Sequence, residues 1–351
     1  MRFEFLTSTP LSPTEGSGTF VALDGLARGL TDLGHIVVVR PLSARTGFHT
    51  LDRWLYNVRV ALRPPIADVT VGVDLDGFLW ARRRRRGPFV VMLKGIIADE
   101  LRNERGWVRG LLSVQARWER SNTACADRVV VPSRYSASVA HEVYGIPDAK
   151  LVVVPEPIDL ADWRRRFAEA AGARAARPTV LSVARMYPRK HLDDLLRAAV
   201  ILRERIPHAQ IRIVGAGPES ARLRALHREL RLDGGAVLLG EVTRRTLAVE
   251  YMRAHCFCLP TVQEGFGLVF AEAMAAGLPV VACHAAAVPE IVEDRHTGFL
   301  VSPRSPDELA SALETLLMNE KLREDFGRAA AQRVEAFGLP RVARRFLETL
   351  P

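Results

Sequence analysis

The sequence predicts an α/β protein made of two doubly wound parallel-sheet domains. Short apolar runs alternate with helix-patterned stretches through the chain, and the whole pattern occurs twice. The runs are continuously apolar rather than alternating, as strands covered on both faces require. Between the two sets lies Pro155-Glu-Pro-Ile-Asp159, where paired prolines break regular structure before an Arg/Ala-rich stretch at 164–177. In the first half strands are predicted at 2–6, 36–39, 69–73, 89–93, 128–132 and 151–154, with helices over Thr19–Leu33, Val108–Thr123 and Ser136–Tyr144. In the second half strands are predicted at 179–184, 210–214, 236–239, 256–260, 279–282 and 298–301. The helices between them are Leu192–Arg205, Glu219–Leu230, Arg244–Arg253 and Asp307–Leu317, and an amphipathic helix at about 340–350 closes the chain. This gives domains 1–158 and 159–338, with a final helical segment 339–351. Right-handed βαβ crossovers make each sheet parallel, so ligands are expected outside the carboxyl ends of the strands.

Composition agrees with a two-domain globular enzyme. A chain of 351 residues with 48% hydrophobic and 25% charged residues has ordinary globular values and enough length for two cores. No apolar run reaches the roughly 18–20 residues that span a bilayer. Met1-Arg-Phe-Glu-Phe-Leu6 carries an acid inside its apolar run and reads as a first strand rather than a signal peptide. The four cysteines are scattered or lie on predicted buried strands, which gives no disulfide framework, and the compartment expected is cytoplasmic. Of the net charge of +9, residues 1–158 carry +5, from 21 basic and 16 acidic residues. An excess shared by both halves, with no accompanying motif, does not suggest nucleic acid.

The most specific segment is 264–282. Glu264-Gly265-Phe266-Gly267 follows the apolar run Cys256–Thr261 and precedes a stretch of good helix formers from Leu268, with Glu272 eight residues after Glu264. Gly265 and Gly267 let the backbone come close to a ligand, and Gly277 with Pro279 ends the helix. A helix start at the carboxyl end of a parallel strand offers unpaired N–H groups and a partial positive charge to an anion. Flanked by carboxylates suited to hydroxyl groups, that anion site suggests a sugar nucleotide. An ordinary βαβ unit with a Gly-rich turn and a surface Glu has the same local spacing.

The segment resembles the donor-site signature of retaining family-4 glycosyltransferases (glycosyl transferases group 1) with the GT-B fold. Further stretches resemble that family in the same order: Ser182-Val-Ala-Arg185 with Lys190, Ile213-Val-Gly215-Ala-Gly217-Pro-Glu219, Val288-Pro-Glu-Ile-Val292 and Thr297-Gly-Phe-Leu-Val301. The likeness is dense over 178–320 and thinner before it. It implies two Rossmann-like domains facing across a cleft, an acceptor-binding first domain, a donor-binding second domain, and a last helix that crosses back to the first. It also implies transfer of a sugar from a nucleoside-diphosphate sugar to a glycan, lipid-linked or small-molecule acceptor, with retention of anomeric configuration and no metal or other cofactor.

That reaction concentrates negative charge on the departing diphosphate, so fixed cations there stabilise the transition state more than the ground state. By resemblance, Arg185 and Lys190 are the diphosphate cations and Glu264 the residue nearest the transferred sugar. The backbone at Gly265, Phe266, Gly267 and Leu268 completes the anion site, Glu272 takes ribose hydroxyls, and Gly215 and Gly217 approach the nucleotide. The loop Ser12–Thr19, with Gly16 and Gly18, resembles the family's glycine loop beneath the donor. A surface loop capped by Thr19 is its plainer reading. The chain departs from the family at Lys94, which stands where a histidine is usual, so Lys94 becomes a candidate cationic contact to acceptor or sugar. Ala285–Ala287 likewise stand where glycines are common.

Arg82-Arg83-Arg84-Arg85-Arg86 reads as a solvated basic stretch or as a contact to an anionic membrane surface, which would make the enzyme peripheral on the inner face of a membrane. Asp74-Leu-Asp76 has the form of a metal–diphosphate motif but lies in the first domain, where a surface turn or an acceptor contact is expected instead. Gly215–Ser220 lacks the last small residue of a dinucleotide fingerprint, and no histidine pair has zinc-ligand spacing. Two readings stand beside the glycosyltransferase: a catalytically weak GT-B protein that binds nucleotide sugar or glycan, and a nicotinamide-dependent oxidoreductase. Turnover of donor distinguishes the first, and binding of NAD the second.

Overall fold

The computed structural model describes all residues except 10–16, 44–45, 84–86, 102–105, 171 and 173. The chain divides into two units, Met1–Ile158 with Phe337–Pro351, and Asp159–Ala336.

In the first unit, β1 (Arg2–Thr7), β2 (Ile36–Pro41), β3 (Val69–Val73), β4 (Phe89–Met92), β5 (Arg128–Val131) and β6 (Leu151–Val153) form one parallel sheet in the order β2-β1-β3-β4-β5-β6. Its Val-rich central strands β3 and β4 are buried at every position, as strands covered on both faces must be. The connecting helices are α1 (Ser17–Asp32), α2 (His49–Leu62), the short α3 (Ile97–Glu100), α4 (Gly106–Cys125) and α5 (Arg134–Tyr144). Side chains alternate across the sheet. Leu6, Phe89, Val91 and Val129 pack with Tyr56 and Val60 of α2 and Val139 and Ala140 of α5, while Phe3, Phe5, Val90 and Val130 share the other core with Leu23, Leu26 and Leu30 of α1.

The second unit repeats the plan. α6 (Leu160–Glu169) opens it, and Asp159 caps that helix by accepting the Asp162 N–H at 2.9 Å. The sheet holds β7 (Thr179–Val183), β8 (Gln210–Val214), β9 (Ala236–Gly240), β10 (Cys256–Leu259), β11 (Val280–Cys283) and β12 (Gly298–Val301), all parallel, in the order β12-β11-β10-β7-β8-β9. Around it lie α7 (Leu192–Arg205), α8 (Ser220–Glu229), α9 (Arg244–Arg253), α10 (Leu268–Ala275), the short α11 (Val288–Ile291), α12 (Pro306–Met318) and α13 (Glu320–Arg333). The start of the Arg/Ala-rich stretch is helical and packed into the second unit: Trp163 and Phe167 of α6 are buried and meet Tyr251 of α9.

The last helix, α14 (Leu339–Glu348), belongs to the first unit. It buries Leu339, Val342, Ala343 and Phe346 and lies against α1 where glycine leaves room. A Cβ at Gly29 would stand 3.0 Å from both the Ala343 Cβ and the Leu339 carbonyl oxygen. Strand order reverses between β1 and β3 in the first unit and between β7 and β10 in the second. Such reversals open a crevice beyond the carboxyl ends of the strands.

Candidate active site

Beyond β10 the chain crosses to the exit of β7. Val262 N–H donates to the Arg189 carbonyl at 3.0 Å, and the Thr261 hydroxyl donates to the same oxygen at 3.2 Å. These bonds hold the Glu264 loop beside the turn that carries Lys190. Gly267 has φ of 98° and caps α10, and a Cβ there would sit 2.6 Å from the Phe270 ring. Only glycine fits both demands. α10 ends as the sequence predicts, with Gly277 at φ 68° and its N–H bonded to Met274 O at 2.9 Å. The side chain of Phe266 is buried, so what that residue can present to an anion is its backbone.

The Lys190 ammonium and the Glu264 carboxylate form an ion pair, both side chains mostly buried. Lys190 ends a 3₁₀ turn (Pro188–Lys190) after β7, and Glu264 follows β10, so the pair straddles the strand-order reversal. Arg185, also beyond β7, is exposed, and its guanidinium lies 5.6 Å from the Tyr187 ring centre. Arg189 covers the same ring at 4.8 Å. Tyr187 and Arg189 were not among the sequence candidates, because an aromatic that orients cations carries no spacing signature.

Gly215 and Gly217 prove necessary for an internal reason. A Cβ on Gly215 (φ 124°) would stand 2.0 Å from Ala184 O, and one on Gly217 would stand 2.8 Å from both the backbone N and O of Met186. Ala184 N–H bonds Val214 O and Met186 N–H bonds Ala216 O, each at 3.0 Å. These glycines approach closely the residues on either side of Arg185, whose backbone they fix.

Glu272 sits on α10 at the fifth helical position and accepts the Tyr251 hydroxyl of α9 at 3.0 Å. Burial pushes its carboxyl up to about 7, against the hydrogen bond from Tyr251 and the charge of Arg244. Tyr251 is fully buried among Trp163, Phe167 and Phe257, which makes it a fixed partner. Among the described residues, His191, Asp193 and Asp194 have ligand atoms within 4.8 Å of one another. The chain's own groups engage them: Asp194 meets His191 Nδ1 at 3.1 Å and Asp193 meets Arg222 at 3.4 Å.

The candidates of the first unit fare differently. Gly16 lies outside the described residues, and Gly18 is an exposed residue in the first turn of α1 rather than in the loop ahead of it. Lys94, just past β4, is bound at 2.6 Å to Glu156, with side chains 5% and 9% exposed. Its charge is taken up within the unit, so any contact to acceptor or sugar involves the pair. Burial raises the Glu156 carboxyl, opposed by Lys94.

Asp74 and Asp76 do not form a surface turn; both are buried. Asp76 accepts Ser8 N–H at 2.5 Å, Ser8 Oγ at 2.8 Å and Asn57 Nδ2 at 3.1 Å, while Asp74 accepts the Lys94 N–H at 2.8 Å. Of the arginine run, Arg82 bonds the Ser121 hydroxyl at 2.7 Å and Arg83 bonds Ala61 O at 2.5 Å; Arg84, Arg85 and Arg86 lie outside the described residues.

Two six-stranded parallel sheets, each doubly wound, with a cationic and carboxylate edge at one reversal point, define the GT-B glycosyltransferase fold class. Residues 164–333 match the family described as glycosyl transferases group 1, and residues 69–162 match glycosyltransferase family 4. It is 32% identical over 253 residues to the GDP-mannose-dependent alpha-(1-6)-phosphatidylinositol monomannoside mannosyltransferase of Mycobacterium tuberculosis, an alignment covering 69% of this chain and 65% of that one. It is also 32% identical over 233 residues to the D-inositol 3-phosphate glycosyltransferase of Kribbella flavida, covering 63% of this chain and 55% of that one. The matched region therefore spans less than two-thirds of the length of either relative. Among solved structures, sucrose-phosphate synthase from Thermosynechococcus elongatus superposes with a TM-score of 0.80 at 19% identity over 99% of this chain and 97% of that one.

Proposed function

We propose that this protein is a retaining, metal-independent glycosyltransferase that moves a hexose from a nucleoside-diphosphate sugar to a glycan, lipid-linked or small-molecule acceptor. The observation that carries the reading is the Lys190–Glu264 pair at the strand reversal, beside the glycine-capped start of α10. A lysine ammonium has three donors, so Lys190 can keep Glu264 and still reach a phosphate oxygen. Glu264 keeps a second carboxylate oxygen for a sugar hydroxyl. Arg185, with its backbone fixed by the glycines of the neighbouring strand exit, supplies further positive charge where the leaving diphosphate becomes more negative. In this reading Glu272, anchored by the Tyr251 hydroxyl at 3.0 Å, accepts ribose hydroxyls.

The named relatives make GDP-mannose the first donor to test, and inositol-bearing molecules, free or lipid-linked, the first acceptors. Nucleotide release is measured with UDP-, GDP- and ADP-sugars, the anomeric configuration of the product is read by NMR, and the assay is repeated with a chelator. The reading expects turnover with one donor class, a retained configuration and no effect of chelation. Absence of turnover with all three donor classes and with both acceptor types removes it.

A further inference from the structure

The turn after β7 carries three cations, Arg185, Arg189 and Lys190, within six residues. Lys190 is paired with Glu264. The Arg189 side chain, in contrast, makes no hydrogen bond and no ion pair among the described residues. Its guanidinium lies against the Tyr187 ring, 4.8 Å from the ring centre, and the residue is partly buried. A cation held in place without an acid partner is available to a ligand.

The backbone of this turn is rigid. Tyr187 N–H donates to Arg185 O at 2.8 Å, Lys190 N–H to Tyr187 O at 3.0 Å and His191 N–H to Pro188 O at 3.1 Å. Pro188 restricts its own φ. The Arg189 carbonyl accepts both bonds that tie the turn to the Glu264 loop, from Val262 N–H and from the Thr261 hydroxyl. The Arg189 Cα is therefore fixed relative to that loop, and its side-chain torsions alone decide where its charge stands. The Tyr187 ring decides them.

The face of a tyrosine ring attracts a cation through its quadrupole. This ring takes two, with Arg185 at 5.6 Å and Arg189 at 4.8 Å. Two guanidiniums gathered on one ring repel each other, and an anion bound by both offsets that repulsion. A planar guanidinium matches phosphate oxygens in geometry as well as in charge. The diphosphate of a sugar nucleotide carries more than one negative charge. It gains another when the anomeric C–O bond breaks with its electron pair left on the β-phosphate oxygen.

We propose that Arg189 is a further donor-site cation and that Tyr187 is the positioning residue that seats Arg189 and Arg185 together against the leaving diphosphate. The inference rests on the reading of this site as one for a nucleoside-diphosphate sugar, and adds to it a second guanidinium and the ring that orients both. Turnover of the full chain with the donor it uses is measured for wild type, Arg189→Gln, Tyr187→Phe, Tyr187→Leu and the double variant Tyr187→Leu/Arg189→Gln, alongside the melting temperature of each. Arg189→Gln should lower kcat about tenfold or more and change KM about threefold or less, because the charge it meets grows in the transition state. Tyr187→Phe keeps the ring and should stay within about twofold of wild type, whereas Tyr187→Leu should lower kcat about fivefold or more. The double variant should lose less than the product of the two single losses, since part of the effect of Tyr187 passes through Arg189.

An Arg189→Gln variant as fast as wild type overturns the inference. So does Tyr187→Phe as slow as Tyr187→Leu, which assigns the effect to the hydroxyl. A double variant that loses the full product also overturns it, and leaves Tyr187 as packing for the turn. Wild type that turns over no donor removes the functional reading and this inference with it; a working wild type beside an unimpaired Arg189→Gln removes this one alone.

Discussion

The two sheets reverse their strand order at one place each, and the chain furnishes the two places differently. Near the reversal between β1 and β3 stand Ser8, Asn57 and Asp76, all fully or nearly fully buried. Asp76 accepts from Ser8 and Asn57, and Asn57 closes the net by accepting Gly77 N–H at 2.6 Å. Between β7 and β10 stand Lys190 and Glu264, a charged pair next to a positive-φ glycine and an exposed arginine. Shared topology therefore does not make equivalent sites. At the first reversal the described polar side chains Ser8, Asn57 and Asp76 bond one another in the interior; at the second, charge and backbone donors stand at an edge a ligand can reach.

This contrast predicts that damage at the second crevice appears in turnover and damage at the first in stability. Lys190→Ala should lower kcat/KM about a hundred- to a thousandfold, the usual cost of losing a charge aimed at a developing anion, with a near wild-type melting temperature. A normal rate from this variant would refute the placement of the site. Asp76→Ala leaves the Ser8 and Asn57 donors buried without an acceptor and should cost about 2–4 kcal/mol in denaturant unfolding. A smaller loss would mean that water replaces the carboxylate and that the crevice is less closed than its geometry indicates. Gly29→Val tests the same unit away from either crevice. It drives a branched side chain into Ala343 and Leu339, and should destabilise by about 1–3 kcal/mol while the catalytic rate stays intact.

The strands were legible because doubly covered parallel strands are continuous apolar runs, and the segments predicted at 69–73, 210–214 and 298–301 coincide with β3, β8 and β12. α2 was not legible. Its inward side chains include Asp52, Arg53 and Asn57, and its outward ones include Trp54 and Leu62, so its hydrophobic periodicity points the wrong way for a core helix. α13 was hidden by Gly327, which is small because its Cβ would stand 2.4 Å from Gly277 O. At the candidate site the Glu264–Leu268 signature stood out in sequence, since glycine and carboxylate spacing is local. The partners did not: Glu156 for Lys94, and Tyr251 for Glu272, are 62 and 21 residues away, and only the fold brings them together.

The finest test of the contrast is Glu272, a carboxyl that burial has raised to about 7 from an ordinary 4.5. Between those two values the folded protein keeps a proton that the unfolded chain releases. Its contribution to stability is therefore fully present below about pH 4.5 and lost as pH rises through about 7. Ligand binding should run the opposite way, because ribose hydroxyls donate to the ionised carboxylate. Affinity for the nucleoside diphosphate of the active donor should rise by at most about tenfold from pH 6 to pH 8, the span over which one such group ionises. Glu272→Gln should flatten that portion of the profile, bind more weakly at pH 8, and remove the matching slope from the stability curve. Calorimetric titrations of wild type and variant across this range decide it. Equal slopes would place the ribose elsewhere and leave Glu272 as a structural partner of Tyr251, as Asp76 is of Ser8.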